Sequence, residues 1–138
     1  MKNIFLALLI FLFAGCDGKI IKNVYNKSQI GAKIESIEIV ATDEFSKEIS
    51  QQFLKEHGFF IKESPYSLRV EYRNYAQTCN NPLSKTSSDY AYDGFVKITL
   101  FYKNSRVYAS QRDFKGEISE RLIISLIESM IDDLELEK

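Results

Sequence analysis

The sequence predicts an α+β fold: one small, mostly antiparallel sheet of about four strands with two helices on one face, in the order β-α-β-β-β-α. Three observations carry this expectation. Phe45 to Leu54 and Ile118 to Leu134 place apolar residues at helical spacing, whereas Leu68 to Tyr72 and Phe95 to Tyr102 alternate with the period of a strand. Between the last two extended segments, Lys103-Asn104-Ser105-Arg106 reads as a tight turn, because asparagine tolerates positive φ.

In chain order, Met1-Lys2-Asn3 comes first, then an unbroken apolar run from Ile4 to Ala14, then Gly15-Cys16. A basic start, about a dozen apolar residues and small residues before a cysteine form a secretory signal; a membrane span needs roughly 18 or more apolar residues. Phe13-Ala14-Gly15-Cys16 resembles the lipobox of bacterial lipoproteins. That resemblance implies that residues 1–15 are removed as a signal peptide and that Cys16 becomes an acylated first residue. Each buried acyl CH₂ contributes about 0.8 kcal/mol, so several chains anchor a domain without a spanning helix. Residues 16–33 carry Lys19, Lys22, Lys27 and Lys33 among Asn, Ser and Gly. They read as the lipidated cysteine and a flexible tether, either solvated or lying on anionic head groups. Residues 34–138 are then a single periplasmic domain.

Within that domain, Ser36-Ile37-Glu38-Ile39-Val40-Ala41 alternates as a strand. Thr42 or Asp43 supplies a helix N-cap, Phe45, Ile49, Phe53 and Leu54 share one helical face, and His57-Gly58 closes the helix. Phe59-Phe60-Ile61 resumes an extended run, and beyond Pro65 the residues Leu68, Val70 and Tyr72 alternate with Arg69, Glu71 and Arg73. From Ala76 to Gly94 the chain is rich in Asn, Ser and Pro, which predicts a long irregular loop, functional or disordered. Phe95 to Tyr102 and Val107 to Phe114 form an antiparallel hairpin. Ile118, Leu122, Leu126, Ile127, Met130, Ile131 and Leu134 then make the second helix, whose apolar stripe is expected to pack on the sheet.

With 18 basic and 19 acidic residues, the whole chain offers no reason to expect nucleic acid as a partner. Charge is nonetheless uneven. Tyr66 to Lys115 holds eight cations against four acids, net +4, while Glu117 to Lys138 holds two against seven, net −5. Seven of the eight tyrosines also fall between Tyr66 and Tyr108. A sheet face offering Arg, Lys and Tyr suits an anionic lipid, a glycolipid phosphate or another protein's acidic surface; it also suits a solvated face with aromatic cross-strand pairs. Catalysis finds little support. His57 is the only histidine and falls at a helix C-terminus, zinc lacks ligands, and no phosphate-binding glycine loop or nucleophile elbow is present. With Cys16 committed to lipid, Cys79 has no partner for a disulfide. No cofactor or metal is expected, and the reading is non-enzymatic.

The acylated cysteine, the short tether, the strand, the amphipathic helix ending at Gly58, the long antiparallel strand pair broken by a loop and the final amphipathic helix together resemble LptE, the outer-membrane lipoprotein family of lipopolysaccharide assembly. The likeness runs from Ile37 to Leu134 in element order. It implies a plug and chaperone for a β-barrel translocon that touches lipopolysaccharide through basic residues, for which Arg69, Arg73, Lys97 and Arg106 are the candidates by location. Auxiliary lipoproteins of lipid-transport ABC systems and small activators of cell-wall synthases have similar elements, and a structural lipoprotein without ligand is the reading of a different class. The expected partners are the membrane, through the anchor, an envelope protein and lipopolysaccharide or another anionic lipid. Asp17 is similar to the inner-membrane retention signal of enteric bacteria; other bacteria need not use that code, and the outer membrane is the favoured location.

Overall fold

Three long strands make the centre of the structure, a computed structural model that describes residues 18–75 and 92–136. We label the strands β1 (Ile21–Val24), β2 (Ser36–Ala41), β3 (Phe60–Ile61), β4 (Tyr66–Asn74), β5 (Gly94–Tyr102) and β6 (Ser105–Phe114), and the helices α1 (Glu44–Glu56) and α2 (Glu120–Asp133). β4, β5 and β6 are antiparallel neighbours, with Tyr66 opposite Tyr102 and Tyr102 opposite Ser105. The β5–β6 connection is a two-residue turn in which both Lys103 (φ 47°) and Asn104 (φ 65°) are left-handed. This backbone follows the natural twist of the flanking strands, so the hairpin closes in two residues rather than four. At the other end, Gly94 admits no side chain: a Cβ would collide with the Arg73 carbonyl and lie 2.7 Å from the Phe114 ring.

β2 lies parallel to β4, and β3 parallel to β2, giving one sheet in the order β1-β6-β5-β4-β2-β3. The fold is therefore α+β with two helices and a single sheet, but the sheet has six strands rather than about four. Both additions are short edges. β3 is two residues long and reads in sequence only as the end of an apolar run. β1 comes from the segment expected to be a tether.

That expectation requires correction. The Gly18 amide donates to the Asp113 carbonyl at 2.8 Å, Ile21–Val24 pair antiparallel with β6, and Asn26 caps a short 3-10 turn, Lys27–Gln29. The Gly31 amide donates to Leu134 at the end of α2. The folded domain thus includes residues 18–33 instead of beginning at Ile34. The polar composition of β1 follows from its being a short edge strand, in which Val24 and the stem of Lys22 turn toward the helices while Ile21 and Asn23 meet water, and on either side of it Ile20 and Ala32 pack against the core. The signal segment, Cys16 and Cys79 lie outside the described residues, as does the expected loop apart from Tyr92, Asp93 and Gly94.

Both helices cover one face. Leu68, Val70, Val96, Ile98 and Leu100 from the sheet meet Phe53, Leu54, Leu122, Ile123, Leu126, Ile127 and Met130 in a continuous core. Asp43 caps α1 by accepting from the Ser46 amide at 2.7 Å, and Ser119 caps α2 through the Leu122 amide at 3.3 Å. α1 is rotated from the expected face. Phe45 is exposed and Ile49 half-buried, while Ser46 and Ser50 are buried beside Phe53 and Leu54. For Ser50 the helix itself supplies a partner, its hydroxyl donating to the Ser46 carbonyl at 2.7 Å, whereas the Ser46 hydroxyl is buried without one.

Candidate functional site: the uncovered sheet face

Side chains alternate across a strand, so every residue between two core residues of β4, β5 or β6 faces away from the helices. On β4 these are Arg69, Glu71 and Arg73; on β5 they are Phe95, Lys97, Thr99 and Phe101. The register continues each row across the sheet. Val40, Arg69, Thr99, Ala109 and Asn23 form one row; Glu71, Lys97, Gln111 and Ile21 form the next. Arg73, Phe95 and Asp113 make a third, at the Gly94 end. Phe101 stands opposite Arg106 just past a bulge, where Val107 is the extra residue on β6.

All four sequence candidates, Arg69, Arg73, Lys97 and Arg106, therefore share this face. Each has a distinct setting. The Arg69 guanidinium lies 5.1 Å from the Phe101 ring centre and that of Arg106 lies 5.0 Å from Tyr25, contacts that hold each cation in place on the face. Hydrogen bonding with Asn23 and then with Arg106 holds the Tyr25 hydroxyl below its ordinary value. Lys97 stands between Glu71 and Gln111, beside a shallow depression of about 190 Å³ whose lining includes Ile21, Asn23, Tyr25 and Ala109. Arg73 is next to Phe95, against which Tyr75 packs at 6.1 Å. Exposed apolar groups border the cations: Ile21 at one edge is 68% exposed, and Val40 and Phe60 at the other are 45% and 66% exposed.

The tyrosine-rich character expected for this face is largely on the other one. Tyr66 and Tyr102 pack together at 4.7 Å on the helix side, Tyr72 stacks on Phe114 at 5.9 Å, and Tyr108 is fully buried beneath α2. Arg112 also turns inward, donating to the Gly18 carbonyl at 2.9 Å and the Ser125 hydroxyl at 3.2 Å. Lys103 lies over the neighbouring Tyr102 ring. Among the described residues, Glu38, Glu71 and Asp113 stand on the same face as the four candidate cations and offset most of their charge.

Sequence reasoning missed one polar cluster, between β1, β6 and α2. Lys22 Nζ donates to Asp133 Oδ1 at 2.8 Å, and the Tyr108 hydroxyl donates to Asp133 Oδ2 at 2.9 Å with Ser129 Oγ 3.2 Å away. Burial and the neighbouring carboxylate push the Tyr108 hydroxyl up to about 12. Partial burial works to raise Asp133, but hydrogen bonds from Lys22 and Tyr108 outweigh it and its carboxyl is held below the ordinary range. The cluster is structural in geometry: it joins the first strand to the last helix.

His57 is engaged locally, with Nδ1 2.8 Å from the Phe53 carbonyl and its ring 4.0 Å from that of Phe53. Among the described residues, no three His, Cys, Asp or Glu side chains stand close enough together to hold a metal ion. None of the helices there is long and apolar enough to cross a membrane. No family model matches this chain, and no curated protein matches it.

Proposed function

We propose that the protein is a lipid-anchored envelope lipoprotein, acylated at Cys16, that acts as a non-enzymatic accessory subunit of an assembly or transport machine. The leading form of this reading is LptE-like service in lipopolysaccharide assembly at the outer membrane. Its support is the sheet face that both helices leave uncovered, where Arg69, Arg73, Lys97 and Arg106 stand among exposed apolar side chains. Guanidinium groups stacked on aromatic rings suit phosphate, and the bordering Ile21, Val40 and Phe60 suit an attached acyl or sugar-ring surface. An anionic amphiphile matches both at once.

Because single exposed charge contacts contribute little, the informative variant combines Arg69→Gln, Arg73→Gln, Lys97→Gln and Arg106→Gln. The parent is expected to bind purified lipopolysaccharide at low salt and to release it as salt rises, and the folded fourfold variant to lose that binding. Equal binding by parent and variant would assign the face to a protein partner, with Glu38, Glu71 and Asp113 as part of the recognition surface.

A further inference from the structure

We infer that the outer edge of β2 at residues 39–41 is a strand-docking site, occupied by an extended, basic and apolar segment of a partner protein that adds to the sheet beside β2. This goes beyond the proposed lipid contact and does not depend on it. In an extended chain the amide and carbonyl of one residue point to the same side, and those of the next residue to the other. The Thr42 amide donates to the Val70 carbonyl of β4 at 3.1 Å, and the Glu35 carbonyl accepts from the Phe60 amide of β3 at 2.9 Å. Glu38, Val40 and Thr42 therefore present their backbone groups to β4, and Glu35, Ile37, Ile39 and Ala41 present theirs to the opposite side. β3 covers that side only at Ser36 and Ile37. Past its end, no hydrogen bond among the described residues reaches the outward amide and carbonyl of Ile39 or of Ala41. Unpaired backbone groups at a sheet edge are a template for another strand.

The space beside that edge suits a strand. A depression of about 330 Å³ runs from Ile39 and Ala41 to Lys47 in the first turn of α1. Glu38 and Val40, the latter 45% exposed, lie on the uncovered face of the sheet, while Ile39 and Ala41 lie half-buried toward the helices. Of the carboxylates here, Asp43 accepts from the Ser46 amide at 2.7 Å and Glu44 lies 3.7 Å from Lys47 Nζ, whereas Glu38 has no ion-pair partner among the described residues. Lys62, just past β3, instead lies 5.8 Å from the centre of the Phe60 ring. A matching strand thus carries a cation opposite Glu38, an apolar side chain opposite Val40 and further apolar ones opposite Ile39 and Ala41. A second copy of this chain matches less well. Two β2 edges paired about Val40 set Glu38 against Thr42, which brings no cation to the carboxylate.

The test is amide hydrogen exchange by NMR on the full chain in detergent micelles, with the acetylated peptide Ser-Lys-Val-Val-Val-Thr-Ser as probe and the same peptide with glutamate in place of lysine as control. Alone, the protein is expected to exchange quickly at Ile39 and Ala41 and slowly at Val40 and Thr42. The lysine peptide is expected to slow Ile39 and Ala41 by roughly tenfold or more, and the glutamate peptide to leave them unchanged. Glu38→Lys is expected to reverse that preference. Ala41→Pro removes an outward amide and no bond to β4, so it is expected to abolish protection at Ile39 while Val40 and Thr42 stay slow. Slow exchange at Ile39 and Ala41 without peptide overturns the open edge, and protection that rises with protein concentration assigns it to a second copy instead. No protection by the lysine peptide, or equal protection by both peptides, overturns the proposed occupant.

Discussion

Along β4, Leu68 and Val70 are fully buried under the helices, while Arg69, between them, and Arg73, farther along the strand, stand exposed on the opposite face. The same contrast repeats on β5, where Val96, Ile98 and Leu100 are buried and Phe95, Lys97 and Phe101 are only half-covered. One face holds the apolar area that stabilises the domain; the other is largely released from that requirement and can be shaped by what it binds. A one-residue slip in any strand would exchange the two faces, so the helix-side pattern also sets the position of every cation opposite it.

The sharpest test of that division is on the covered side. Leu126→Ala, and Phe53→Ala on the neighbouring helix, are expected to lower stability by about 2–5 kcal/mol each, a large part of what a small domain has. Urea midpoints check this; an unchanged midpoint in both variants would break the assignment of the core face.

Next in size is the polar cluster at the rim of the core. Tyr108→Phe removes a donor from Asp133 and is expected to cost about 1–2 kcal/mol. In the parent, the folded Tyr108 value of about 12 lies above the ordinary 10.0, so the neutral hydroxyl favours the fold. That contribution is complete below pH 10 and is lost as pH rises toward 12. Urea titrations across that window should show a decline that Tyr108→Phe lacks.

Lys22→Ala should cost less, about 1 kcal/mol or below, because its ammonium is half-exposed. Its effect is expected to be local, as faster amide exchange in β1. Asp133 gives the acid counterpart. Its folded value is depressed, so its contribution is present above the ordinary carboxylate range, near pH 4, and disappears as pH falls through the folded value. Acid unfolding of the parent and of Asp133→Asn compares the two directly.

The smallest stability effect belongs to the uncovered face. Arg69→Gln is expected to shift stability by no more than about 0.5 kcal/mol. A shift comparable to that of Leu126→Ala would mean that this face carries the fold as well.

Much of this was legible in the residues. Strict alternation in Leu68 to Tyr72 and Phe95 to Tyr102 located two strands and both of their faces, and the spacing from Leu122 to Leu134 located the buried stripe of α2. Arg69, Arg73 and Lys97 were legible for the same reason, since a residue between two inward positions must point the other way; Arg106 read as part of the turn. β1 was not, because a four-residue edge has too short a period to distinguish from a linker rich in Lys and Asn. The face of α1 was misplaced by Phe45: an aromatic residue near a helix start looks like core, yet the neighbouring buried positions are taken by Ser46 and Ser50.

By itself the sequence determined the class of fold, the hairpin, the stripe of α2 and the sidedness of Arg69, Arg73 and Lys97, because each depends on local period alone; Arg106 reaches the same face only through the bulge at Val107. Tertiary structure decided what depends on pairing between distant segments. It decided the six-strand order, the inward turn of Arg112, the link of Lys22 to Asp133 and the hold on Gly18. Tyr108 and Asp133 are 25 residues apart in the chain and 2.9 Å apart in space, and no local pattern encodes a contact that only the packing of α2 on β6 creates.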